Sequence, residues 1–82
     1  MNTAAKAGDL VLVNWTDSQV SAGAWEALDG LDTIRPLECT SVGWVLDVGS
    51  NYLTIVHNRN EHQVLGRTTI PKRSIRSVKM LR

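Results

Sequence analysis

Phenylalanine is absent from this sequence, and cysteine occurs once, at Cys39. A lone cysteine excludes an internal disulfide framework and agrees with a reducing compartment. No apolar run approaches the roughly 18 residues of a bilayer span, and the N-terminus shows no apolar leader region. The expectation is therefore a cytoplasmic protein with no membrane partner. No glycine-rich phosphate loop, nucleophile elbow or paired-carboxylate site appears, so no cofactor is expected. Internal repeats and low-complexity segments are missing as well. Acidic residues stop at Glu61.

What is present fits one small domain. A chain of 82 residues has room for a single core and buries roughly 60–65% of its unfolded surface, so a closed sheet or an oligomer would help it hold together. Hydrophobic content of 43% belongs to a globular domain, not a disordered one. The small net charge conceals an asymmetry. Residues 1–61 carry eight acids against Lys6, Arg35 and Arg59, net −5, whereas residues 62–82 carry six cations and no acid, net +6. Three uses are open to such a basic run: phosphate or an acidic partner, the acidic part of the same chain, or a neighbouring subunit.

Along the chain, residues 1–7 have no strand pattern and read as a flexible tail, with one small β-barrel domain over 8–82. Asp9 to Trp15 predicts the first strand, with Val11, Val13 and Trp15 on one face and Leu10 and Leu12 on the other. Thr16-Asp17-Ser18-Gln19 has the form of a capping box, so a short helix or a long loop carrying Trp25 and Leu28 follows, as far as Arg35. Leu37 to Val48 is the longest strand. Val42, Trp44, Leu46 and Val48 alternate, which places Trp44 with Trp15 in the core, and Gly43 marks a bulge or sharp bend. Gly49-Ser50-Asn51 reads as a hairpin turn, Tyr52 to His57 as strand three, and 58–62 as a polar loop. Two more strands flank Pro71, whose fixed φ and missing N–H suit a corner and not a central strand. Five short strands, one of them long and bent, predict a mainly β fold: a small, partly open five-stranded barrel.

The spacing Gly66-x-x-x-Ile70-Pro71-x-x-x-Ile75 resembles the end of an SH3-like barrel, in which a 3₁₀ turn links the last two strands. Lys72-Arg73-Ser74-Ile75-Arg76-Ser77-Val78 is similar to the second Sm motif of bacterial Sm-like RNA chaperones. The wider pattern of Trp15-x-Asp17, Trp25, Pro36, Ser41-Val42-Gly43-Trp44, Ile70-Pro71-Lys72, Ile75 and Leu81 resembles small proteins of phages, prophages and environmental gene cassettes. Some of those adopt Sm-like barrels. The resemblance implies that Lys72 takes the place of the family's pore lysine, with Arg73 in place of its histidine. It also implies ring assembly, hence a homo-oligomer, and contact with uridine-rich RNA.

Catalysis has little to stand on. Cys39, His57 and Asp47 can be drawn as nucleophile, base and orienter, but no pattern marks the cysteine as activated, and a small buried thiol is the plainer reading. His57 and His62 with Glu61 lack a fourth metal ligand. The expectation is a non-catalytic protein with no metal. Two functions remain. In the first, an oligomeric Sm-like module binds single-stranded nucleic acid through Lys72, Arg73 and Arg76. In the second, a protein-interaction or phage-assembly module works through Trp25, the acidic 17–38 segment and a free strand edge. Unpaired edges favour self-association in either case.

Overall fold

The computed structural model describes residues 4–21 and 23–82. Five strands follow in order: β1 (Leu10–Asp17), β2 (Leu37–Val48), β3 (Tyr52–Arg59), β4 (Val64–Pro71) and β5 (Ile75–Met80), with a 3₁₀ turn at Lys72–Ser74 between the last two. They form one open sheet, entirely antiparallel, in the order β4-β3-β2-β1-β5. The mainly β expectation holds, and so does the corner: Pro71 ends β4 and the chain returns as β5.

One face of the sheet is lined by Val11, Val13, Val45, Leu53, Ile55, Ile70 and Ile75, all at or below 7% exposure, with Trp15, Val48 and Val78 packed on them. Each such aliphatic side chain contributes about 1.5–3 kcal/mol when fully buried. Ala5 joins this core at 7% exposure. Of the expected tail, residues 4–7 are described, and the next residues are tied to the sheet: the Gly8 N–H donates to the Val45 carbonyl at 2.9 Å.

β2 is shared between two partners. Leu37 to Trp44 pair with β1, and Trp44 to Val48 pair with β3. The handover falls at Trp44, and beside it at Gly43 the chains come so close that a Cβ would lie 2.6 Å from the Val56 carbonyl oxygen. Only glycine fits there. Two irregularities set which side chains face inward. A bulge between Val45 and Asp47 inserts Leu46, and another on the β1–β5 pair leaves Arg76 as the extra residue between Ile75 and Ser77.

The inward phase of β2 corrects one sequence expectation. Gly43 and Val45 are the buried positions, whereas Val42 and Leu46 are 44% and 41% exposed and Trp44 is half-buried on the outer face. Glycine turns inward at this point because the Val56 backbone and the Ile55 Cβ already fill the space. Trp15 packs on the core as expected, its indole N–H donating to Ser41 Oγ at 3.0 Å.

Between β1 and β2 the described residues contain no helix. The capping-box residues are used differently: Thr16 belongs to β1 and reaches Glu38 of β2, and Asp17 Oδ1 accepts from the Ser18 N–H at 2.9 Å. Every described residue from Ser18 to Pro36 is exposed. From Gln19 to Pro36 none of the described residues hydrogen-bonds to the sheet. This stretch, hereafter the arm, gives the molecule its length: it measures 53 × 27 × 21 Å, with a radius of gyration of 16.0 Å. A compact domain of this size has a radius near ~12 Å. Among the described residues no helix is long and apolar enough to cross a membrane.

Candidate functional site

Lys72 and Arg73 sit on the 3₁₀ turn, which the hairpin between β2 and β3 holds in place. The Lys72 N–H donates to the Asn51 carbonyl at 2.9 Å, and the Lys72 carbonyl accepts from the Ile75 N–H. Lys72 is half-buried and Arg73 exposed. Neither is in an ion pair with an acid among the described residues. Arg76 behaves differently. Its Nη1 lies 2.9 Å from Glu38 Oε1, with both side chains more than 60% exposed. So the structure keeps two of the three cations together and turns the third onto the acidic segment. An exposed pair of this kind is worth roughly 0–1 kcal/mol.

Tyr52 stands beside this corner, directly opposite Pro71 on the neighbouring strand. Its phenol donates to Asp47 Oδ2 at 2.8 Å. The carboxylate that accepts this bond, together with its charge, raises the phenol above its ordinary pKa. Sequence reasoning placed Tyr52 on a strand without linking it to Lys72; the cross-strand register brings them together.

Trp25 is fully exposed and its apolar companions on the arm are exposed too: Val20 at 84%, Leu28 at 89%, and Leu31 and Ile34 about half exposed. It plugs no open end of the sheet. Five large apolar side chains on one unpaired stretch are far from the scattered surface hydrophobics of an ordinary monomer.

A second apolar surface lies on the outer face of the sheet. The register sets Leu10, Trp44, Val56 and Arg67 in one row, and Leu12, Val42 and Lys79 in the next. Leu10 and Leu12 are half-buried, Val56 is buried, and the Arg59 guanidinium lies 4.5 Å from the centre of the Trp44 ring. Beyond Arg59 an open pocket of ≈ 370 Å³ is lined by Asn58, Asn60, Gln63, Val64 and Leu65. Sequence reasoning missed this face because β1 and β2 are apolar on both sides, and alternation alone does not say which side turns in. The signal was Gly43, whose missing side chain marks the crowded side.

The residues drawn as a catalytic set are not brought together. The Cys39 thiol lies 3.7 Å from the Leu37 carbonyl, Asp47 holds Tyr52, and His57 is bonded elsewhere. His57 Nδ1 is 2.7 Å from the Val42 carbonyl oxygen, which can only accept, so this nitrogen carries the proton. Nε2 then accepts from the Thr68 hydroxyl at 3.3 Å. His62 and Glu61 approach to 3.9 Å on the exposed β3–β4 loop. Among the described residues no group of three or more His, Cys, Asp or Glu side chains could hold a metal ion.

No protein-family model matches the chain, and no curated protein or solved structure does either.

Proposed function

We propose that this chain is a non-catalytic interaction and assembly module, a small barrel of the SH3-like or Sm-like kind that docks onto protein chains through its arm. The observation that carries the reading is Trp25, fully exposed amid Val20, Leu28, Leu31 and Ile34 on a stretch whose described residues make no hydrogen bond to the sheet. Leaving such a stretch in water exposes apolar surface that association removes, at about 25 cal/mol per Å². The strand order β4-β3-β2-β1-β5 with a 3₁₀ turn before β5 supports the barrel reading. Free edges at β4 and β5 support self-association. Such a module suits a cytoplasmic role in a phage, prophage or gene-cassette setting. The test is light scattering over a concentration series, on the native chain and on a variant with residues 19–34 replaced by a short Gly-Ser linker. Assembly of the native chain that the linker variant loses supports the reading; a monomer at high concentration removes it.

A second reading is favoured by one observation: Lys72 and Arg73 stand together at the corner with no acid paired to either among the described residues. There the module binds single-stranded nucleic acid, RNA above all, with Arg76 contributing only where Glu38 releases it. Gel shifts with uridine-rich and mixed strands at low and moderate salt test it. Binding that weakens steeply with salt and with Lys72→Ala supports nucleic acid; no shift at low salt removes it.

A further inference from the structure

We propose that the arm's partner is the outer face of a second copy of this chain, so that two molecules exchange arms. This rests on the interaction reading above and gives it a defined partner.

The two surfaces match in chemistry. The arm presents Val20, Trp25, Leu28, Leu31 and Ile34 with Glu26, Asp29 and Asp32 against the single cation Arg35. The outer face presents Leu10, Leu12, Val42 and Trp44, flanked by Arg59, Arg67 and Lys79. The acids on that face are Asp47, bonded to Tyr52, and Glu38, paired with Arg76. Apolar meets apolar, and the free charge is negative on one side and positive on the other.

The area is sufficient. A tryptophan presents about 200 Å², and four aliphatic side chains on the order of 100 Å² each. Two arms bring roughly 1,200 Å² and the faces they cover add as much again, within the range of a stable interface.

A second copy is the occupant because every described arm residue is left exposed by its own sheet. The arm leaves the sheet at the Asp17–Leu37 pair, seven positions along β1 from the Leu10–Trp44 pair, or about 23 Å of strand. The described arm residues make no hydrogen bond back to their own sheet. Since every copy carries both surfaces, a two-fold pair satisfies both at once, with the same contact made twice.

Two single-cysteine proteins test this, each in a Cys39→Ser background: one carries Ala24→Cys beside Trp25, the other Val42→Cys on the outer face. Mixed and mildly oxidised, they are expected to form a disulfide-linked heterodimer well above that of Ala24→Cys mixed with the corner variant Arg73→Cys. A yield no higher than that control overturns the exchange. So does ring closure within single chains of an Ala24→Cys/Val42→Cys double variant under dilution. A second measurement needs no cysteine: Trp25→Ala and Val42→Lys should each weaken self-association at least tenfold, with thermal midpoints showing that both variants fold. Dimers unaffected by Val42→Lys overturn the exchange. If the arm-shortened variant loses assembly while the cross-link fails, the exchange falls and the interaction reading survives. If the native chain is monomeric, both fall.

Discussion

Gly43 shows how tightly one residue can be specified. A methyl group there meets the Val56 carbonyl oxygen at 2.6 Å and its carbon at 3.1 Å, both backbone atoms that cannot rotate away. Gly43→Ala should therefore destabilise the fold by about 1–3 kcal/mol, the usual range for overpacking, read as a lower urea midpoint with an unchanged slope. Truncating a fully buried side chain beside it acts by the opposite mechanism: Ile55→Ala, at 0% exposure, should cost about 2–5 kcal/mol through a cavity. Tyr52 gives a cleaner spectroscopic handle, because it is the only tyrosine. With its pKa raised by the Asp47 hydrogen bond and charge, its phenolate absorbance should appear at higher pH than for a free phenol, and Asp47→Asn should bring it back. The sign follows from the direction. A raised value means the bond stabilises the fold fully below the ordinary phenol pKa, and that contribution disappears as pH climbs through the raised one.

At the scale of elements, β2 and the arm behave as separate things. Shortening 19–34 to a brief linker removes no buried side chain and no sheet hydrogen bond among the described residues. Loop-closure entropy changes slowly with length, so the monomer's own stability should move by less than about 1 kcal/mol in chemical denaturation while assembly is lost. Much of this architecture was legible beforehand. The bounds of β2, the Gly49–Asn51 hairpin and the corner after Pro71 all follow from turn chemistry and β-branched runs, whereas the bulge or bend expected at Gly43 is a close approach of strands there and the bulge itself falls at Leu46. The facing of β2 was not legible. Val42, Trp44 and Leu46 look like a buried stripe, and only the three-dimensional crowding around Gly43 turns them outward. The Leu46 bulge then returns Val48 to the core, so the end of the strand obeys the expected phase and its middle does not. The arm was legible only as a short helix or a long loop, and its complete exposure depends on the other elements having closed their core without it. The position of Lys72 and Arg73 at the corner was legible in the sequence; the engagement of Arg76 was not, because the bulge that redirects it has no sequence signature.

For the whole molecule, charge distribution is the organising fact. The basic run from Arg67 to Arg82 is not folded wholesale onto the acidic half: among the described residues only Arg76 of that run pairs with an acid. Most of its positive charge therefore remains at the surface, ready for an acidic arm or a phosphate. Salt separates these uses. Association held mainly by apolar arm contacts should persist at moderate ionic strength, whereas strand binding at the corner should decline roughly in proportion to the number of phosphates met. Light scattering and gel shift across one salt series would read both. One connection in the sheet has a practical consequence for engineering. The Leu10 N–H donates to the Arg82 carbonyl at 2.7 Å, and the Leu81 N–H to the Leu10 carbonyl at 2.8 Å, so the last residues lie against the start of β1. A circularly permuted gene that splices residue 82 to residue 5 through a few glycines, and reopens the chain within 23–30, would encode every strand intact in the order β2-β3-β4-β5-β1.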